Sequence, residues 1–348
     1  MIAAVWHGPN DLRVEERERP QALPGTVVVK VKACAVCGSD LRILREGNAR
    51  ITQPRIIGHE IAGEVVEIGD DVENFNLNDR VSTGADVPCG ECDYCRAGLA
   101  NSCKINYAIG YQFDGGFAEY IRLDHRVVKY GPVQTFDQTL DWKFAALAEP
   151  LGCCINGFEQ ALAEYKKPQS VVVFGAGPIG LMLIKLARKI YGIETIITVE
   201  PAPLRRQNAI EIGADVSLDP SEDNVVDAVL DLTFGKGADL VFTACPVLQT
   251  HIDALDIVAT NGVINFFGGI GKAEPPLNIL SNYIHYKQIY LTGSHGSTPA
   301  QHKTALSYIE QGLVSVDDII THEFNLEDVL DGFALASSGK ASKVIITP

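Results

Sequence analysis

The chain has 348 residues, 46% of them hydrophobic, and carries 29 basic against 44 acidic side chains for a net charge of -15. That length can bury a sizeable core and suggests two domains, while the acidic balance argues against nucleic acid and anionic membranes as partners, since both are polyanions. No apolar run approaches the roughly 18 residues that span a bilayer, and the N-terminal MIAAVWHGPN lacks the basic segment and apolar stretch of a signal peptide; a cytoplasmic protein is expected.

From Ile2 to about Arg126, short alternating apolar runs at 26–32, 61–68 and 116–121, separated by Gly, Pro, Asn and Asp, predict a β-rich first domain. Cys37 stands in Cys37-Gly38-Ser39-Asp40, and His59 and Glu60 stand in Gly58-His59-Glu60-Ile61-Ala62-Gly63 at the head of a strand pattern. Thiolate, imidazole and carboxylate are the mixed donors of a catalytic zinc, which keeps one position open for water or substrate. Taken alone, each has a plainer reading: Cys37 as a buried small residue, His59 as a hydrogen-bonded core histidine, Glu60 as a charge at a strand edge.

Nine cysteines in a chain without an export signal point to metal ligation and buried thiols rather than a disulfide framework. Cys89, Cys92, Cys95 and Cys103 form C-x2-C-x2-C-x7-C, a spacing that folds around one ion. Four thiolates around zinc leave no position for substrate, so such a site is structural; an iron–sulfur cluster or unrelated thiols are the alternatives. Cys34, Cys153, Cys154 and Cys245 match no ligand position and are expected to be buried thiols.

After Trp142 the period changes. Residues 143–164 read as helix, with Glu149-Pro150 near its start, and 170–174 as a buried strand running into Gly175-Ala176-Gly177-Pro178-Ile179-Gly180 and a helix at 181–191. The first glycine permits the tight turn, the second lets backbone approach a pyrophosphate, and the third lets helix pack on strand; the helix N-terminus then faces the phosphates. Glu200 closes the next strand, 195–199, where a carboxylate accepts from both ribose hydroxyls and repels a 2′-phosphate, favouring NAD over NADP. Arg205 and Arg206 are the counter-indication, since either could cover the adenine or attract a phosphate. Further buried strands at 239–243, 262–267 and 289–292 predict a doubly wound parallel sheet, and a last apolar run at 343–347 could return to the first domain.

The Cys37-Gly38-Ser39-Asp40 string, Gly58-His59-Glu60, the cysteine lobe, Glu149-Pro150 and the glycine turn occur in the order and spacing of the zinc-containing medium-chain dehydrogenases, which the chain resembles from end to end. Glu149-Pro150-Leu151 resembles the sorbitol (polyol) and threonine dehydrogenase branch, where glutamate replaces the cysteine of alcohol dehydrogenases. The resemblance implies an α/β protein: a β-rich GroES-like catalytic domain at 1–150 with the structural-zinc lobe, a doubly wound Rossmann domain at 151–296, and a segment 297–348 returning to the catalytic domain. It implies two zinc ions per chain, the catalytic one held by Cys37, His59 and Glu60, with Glu149 as a ligand or as a partner of the zinc-bound water. Ser39 would take the substrate proton, unless it only caps a turn, and Asp40 would orient the loop. Gly175, Gly177, Pro178, Ile179, Gly180, Glu200 and Arg205 would hold NAD, and Thr243, Ala244 and Phe267-Gly268-Gly269 would bring backbone to the nicotinamide or serve only as turns.

One departure bears on the substrate. Many members of the family the chain resembles carry histidine three residues beyond the serine or threonine, and this chain has Arg42, which cannot shuttle a proton. Either Ser39 passes its proton to water and the cofactor ribose, or Arg42 contacts an anionic group, or it is a surface or cofactor-side cation. The resemblance implies oxidation of a secondary hydroxyl of a polyol or sugar-like alcohol, cyclic and phosphorylated ones included, with pocket residues from loops around Ile43, Tyr111 and 294–296. The segments 277–294 and 339–344 also look polyol-type. Threonine dehydrogenase-like oxidation is the alternative, and a non-catalytic NAD(H)-binding relative is a third that the complete donor set opposes. A homodimer or homotetramer is implied.

Overall fold

The computed structural model describes residues 1–163, 167–271 and 273–348. It divides into two units, Met1–Cys153 with Gly296–Pro348, and Cys154–His295, the division falling inside the helix Ala148–Leu162.

The first unit is organised around the strand Val27–Ala35, whose Val-Val-Val-Lys-Val-Lys-Ala-Cys-Ala sequence is β-branched and buried along most of its length. It pairs antiparallel with Glu60–Ile68 throughout, with Tyr120–Leu123 near its start and with Lys343–Thr347 near its end. Arg80–Thr83 and Val133–Thr135 extend the sheet on one side, and Ile320–Asn325 joins the last strand in parallel on the other. Val29, Val31, Ile61, Val81, Phe117 and Ile346 belong to one buried cluster beneath it. The register sets Ala35 opposite both Glu60 and Ile345, so three segments remote in sequence meet at the end of Val27–Ala35, two residues before Cys37.

The strand expected at 116–121 forms instead at Tyr120–Leu123. Gly115, Gly116 and Phe117 spend their amides on the carbonyls of Ile56, Gly58 and Ile57, which ties this stretch to the segment carrying His59 rather than to the ladder. The helix expected over 143–164 is split into Trp142–Ala146 and Ala148–Leu162; Glu164, its expected last residue, lies outside the described residues.

In the second unit the described strands form a parallel sheet in the order Val216–Leu218, Thr195–Val199, Ser170–Phe174, Ala238–Thr243, Val258–Phe266, Tyr290–Gly293. Strand order reverses at Ser170–Phe174, whose carboxyl end is therefore the switch point where such sheets take ligands. The helix after it runs Pro178–Lys189 rather than 181–191: proline at the first helical position loses no hydrogen bond and is already set at a helical φ. Among the described residues no helix is long and apolar enough to cross a membrane.

Candidate functional site

The structure gathers two sets of side chains that could hold a metal ion. In the first, Cys89, Cys92, Cys95 and Cys103 bring their sulfurs within 4.8 Å of one another. Backbone amides aim at them: those of Glu91 and Cys92 reach Cys89 Sγ at 3.4 Å, and that of Cys89 reaches Cys103 Sγ at 3.3 Å. Amides of Lys104 and Cys95 push the Cys92 thiol down to about 6, whereas burial and the Cys92 sulfur push Cys95 up to about 12. A loop that supplies donors to sulfur favours thiolate, the form in which cysteine binds metal, so the set fits a closed tetrahedral ion.

The second set is built by the sheet register. Cys37 caps the helix Gly38–Glu46, and the buried Asp40 carboxylate accepts from the Cys37 amide at 3.0 Å. His59 and Glu60 sit where Gly58, at φ +95, turns the chain into Glu60–Ile68. The donor atoms of Cys37, His59 and Glu60 lie within 4.8 Å of one another. Ser39 Oγ stands 3.4 Å from His59 Nε2. Asp40 Oδ1 is 3.5 Å from His59 Nδ1, and neither atom has a hydrogen-bond partner although both are buried. Burial alone would lower the His59 pKa, but Asp40 and Cys37 outweigh it and raise the pKa well above the usual value. A half-buried thiol, a buried carboxylate and a buried imidazole that faces a second carboxylate are donor types that fit zinc.

Glu60 does not stand free. Lys343, on the last strand, places Nζ 2.8 Å from both Glu60 carboxylate oxygens and 3.3 Å from the Val36 carbonyl. Both side chains are buried, and although burial alone would lower the Lys343 pKa, Glu60 and Cys37 raise it. Sequence reasoning missed Lys343; the available signal was a lysine opening an otherwise apolar terminal strand, Lys-Val-Ile-Ile-Thr. Glu149, in the first turn of Ala148–Leu162, is buried but lies outside the group that shares the 4.8 Å limit. Burial, reinforced by the nearby Glu60 and Asp86 carboxylates, pushes it up to about 7. The carboxylate of Asp86, a residue also missed, accepts from the Ser297 amide at 3.2 Å. Arg42 is exposed on the helix Gly38–Glu46, whereas Ile43 belongs to the buried core rather than to a pocket wall. Of the remaining thiols Cys34 and Cys154 are buried, but Cys153 and Cys245 are only half-buried, the latter because it follows the end of the strand Ala238–Thr243.

In the second unit, Gly175 adopts φ +95, and a Cβ on Gly180 would stand 1.9 Å from the Gly175 carbonyl oxygen; side chains are excluded at both, so the turn hugs the helix start. Gly177 caps Pro178–Lys189, and the Arg205 guanidinium lies 4.0 Å from where a Gly177 Cβ would be. The buried Glu200 carboxylate accepts from the amides of Ala176 at 2.8 Å and Ala202 at 3.0 Å, tying the glycine turn to the end of the next strand. Arg206 bonds the carbonyls of Glu200 and Pro201 and pairs with Asp219 at 2.8 Å, which engages it away from a phosphate role. Thr243 and Gly268 are joined backbone to backbone at 2.6 Å, and Thr243 Oγ1 stands 3.1 Å from His251 Nε2.

Comparison with known proteins gives matches to two family models, "Alcohol dehydrogenase GroES-like domain" over residues 23–132 and "Zinc-binding dehydrogenase" over 178–311. The chain is 32% identical to a sorbitol dehydrogenase of Halalkalibacterium halodurans, covering 100% of this chain and 98% of that one. It is 34% identical to an L-threonine 3-dehydrogenase of Pyrococcus horikoshii over 95% of this chain and 93% of that one. Among solved structures, a zinc-binding dehydrogenase of Sinorhizobium meliloti bound to NADP superimposes with a TM-score of 0.91 at 29% identity, covering 100% and 99% of the two chains.

Proposed function

Because the chain belongs to the zinc-binding medium-chain dehydrogenases, in their sorbitol dehydrogenase-like branch, we propose that it oxidises a secondary hydroxyl of a polyol or sugar-like alcohol to a ketone with NAD as hydride acceptor. The observation that carries this reading is the convergence of the half-buried Cys37 with the buried His59 and Glu60, with the Ser39 hydroxyl 3.4 Å from His59 Nε2.

Cys37, His59 and a carboxylate would hold the catalytic zinc, and the four-cysteine lobe would hold a structural one. When bound, zinc supplies Lewis acidity that acidifies the alcohol, and the nicotinamide supplies the place for the departing hydride. Asp40 fixes the His59 ring so that Nδ1 faces it and Nε2 is left for the metal. Lys343 holds Glu60 by both oxygens, so Glu60 would share its charge between that ammonium and a metal. Glu149, held near 7 by its dry setting, is the carboxylate able to exchange with it. Ser39 accepts the alcohol proton and releases its own to water; the exposed Arg42 replaces the histidine that would take it. Glu200, whose oxygens keep lone pairs beyond their two amide bonds, accepts from the adenosine ribose, favouring NAD over the NADP carried by the Sinorhizobium meliloti protein. A homodimer or homotetramer is the assembly we expect.

The test is a screen of NADH absorbance over hexitols, pentitols, inositols, their phosphates and threonine, run with NAD and with NADP. Turnover of one or more polyols with NAD is expected. The 34% identity to a threonine dehydrogenase keeps amino-alcohol oxidation as a second reading, and turnover of threonine alone would replace the first. One zinc per chain and no reaction with any alcohol would point to a non-catalytic NAD(H)-binding protein.

A further inference from the structure

His251 has been given no role so far. It stands near the start of the helix Leu248–Ile257, which packs on the two parallel strands Ala238–Thr243 and Val258–Phe266. The ladder between those strands stops at Phe242 and Asn265. Past it the imidazole meets both strand ends at once: Nε2 stands 3.1 Å from Thr243 Oγ1, and the ring stacks on Phe266 with centroids 4.4 Å apart and planes 3° from parallel. His251 and Thr243 are both buried. The backbone around them is drawn tight. The Gly268 amide donates to the Thr243 carbonyl at 2.6 Å, and a Cβ on Gly268 would stand 2.7 Å from the Cys245 carbonyl oxygen. Cys245 Sγ donates to Thr250 Oγ1 at 3.6 Å, which ties the loop after Thr243 to the same helix turn.

The place of this clamp in the sheet says what it holds. Strand order reverses at Ser170–Phe174, and a dinucleotide lies across such a switch point with its two halves on opposite sides. With Glu200 at the end of Thr195–Val199 taking the adenosine ribose and the glycine turn taking the pyrophosphate, the nicotinamide half falls over the ends of Ala238–Thr243 and Val258–Phe266. The two sides adjoin closely, since a Cβ on Gly175 would stand 3.2 Å from the Ala244 carbonyl oxygen. We propose that His251 is a positioning residue for the nicotinamide end of NAD, its bond to Thr243 and its stack on Phe266 fixing the loops 244–247 and 267–269 against which that ring lies. This rests on the reading of the glycine turn and Glu200 as the NAD site. A residue so placed bears on the nicotinamide and not on the adenosine half, so its loss separates two ligands that differ only in that ring.

His251→Phe keeps a flat ring on Phe266 and removes the bond to Thr243, and Thr243→Val removes the same bond from the other side with little change of shape. The test titrates the zinc-loaded wild type and each variant with NAD and with ADP-ribose, which is NAD without its nicotinamide, by calorimetry alongside thermal unfolding. Both variants should raise the Kd for NAD about fivefold, the worth of one buried hydrogen bond, while ADP-ribose stays within about twofold of the wild type. An equal loss on both ligands, or NAD binding unchanged in a folded variant, overturns the proposal and leaves His251 a packing residue. If one variant does not fold, the other decides; failure of both to fold makes the pair structural and also overturns it. A wild type that binds NADP and its 2′-phosphorylated ADP-ribose instead removes the NAD reading, and the same comparison with that pair decides the role of His251. A wild type that binds none of the four rejects both.

Discussion

The two donor groups of the first unit solve different problems. The cysteine lobe is half-exposed, uniform in chemistry and contained within fifteen residues, 89–103, and its amides point at its own sulfurs. The group at Cys37, His59 and Glu60 mixes three chemistries, buries two of its members and depends on residues more than 300 positions apart, from Cys37 to Lys343. A closed shell needs only a short loop of the right spacing, because nothing has to enter it. An open one must balance unsatisfied charge inside a dry pocket, and that requires the whole sheet.

Removing one thiol from each group separates them most sharply. Cys37→Ala should cut kcat/KM by about a thousandfold or more, since several kcal/mol of transition-state stabilisation go with the metal, and should lower zinc content from two to one per chain with the unfolding temperature little changed. Cys95→Ser should also remove one zinc, but it should lower the unfolding temperature by several degrees and spare turnover in the fraction that stays folded. Metal analysis with calorimetry and initial rates checks both; a folded, inactive Cys95→Ser would erase the distinction.

The next effect probes the wiring of the open group. Lys343→Met leaves Glu60 buried without its cation, which should cost about 3 to 5 kcal/mol in denaturant unfolding. Adding Glu60→Gln should restore part of it. A loss below about 1 kcal/mol would mean that the pair is solvated and that Glu60 is not held.

His302 gives a smaller effect, separate from both groups. It is fully buried with Nε2 3.2 Å from Ser82 Oγ and Nδ1 unpartnered, and burial pushes it from 6.5 down to about 4. The unfolded chain takes up a proton below about 6.5, whereas the folded one resists until about 4. Stability is therefore intact above 6.5 and lost as pH falls towards 4, by about 2 kcal/mol at pH 5 relative to pH 7.5 from this residue. Unfolding curves at the two pH values should show it, and His302→Gln should flatten it.

The smallest change tests the cofactor turn. Glu200→Ala should raise the KM for NAD by about tenfold, the worth of a charge-assisted hydrogen bond or two, and should improve the ratio for NADP, read from initial rates with both cofactors. A variant equally poor with both would assign Glu200 to holding the Ala176 and Ala202 amides only.

The reading from sequence held best where a motif is local. The C-x2-C-x2-C-x7-C lobe and the Gly175 to Gly180 turn depend on chain-neighbour geometry, so their spacing carries their structure; even the shift of the helix start to Pro178 follows from proline's fixed φ. Strand limits were less legible, as at Gly116, where glycines that look like the start of a strand give their amides to the loop before His59. Arg206 could be read as a phosphate partner until its pairing with Asp219 placed it elsewhere.

What the sequence by itself determined is the family, the two-part architecture's strand and helix character, and the identity of the side chains with metal-binding chemistry, because periodicity and short spacings express local stereochemistry. The tertiary structure alone decided that Lys343 grips Glu60, that Glu149 stands back from the Cys37 group and that the Tyr111 ring lies beside His59. The first of those relations arises from sheet register between segments hundreds of residues apart. A one-residue slip there turns a side chain to the opposite face, and no local pattern records which register wins.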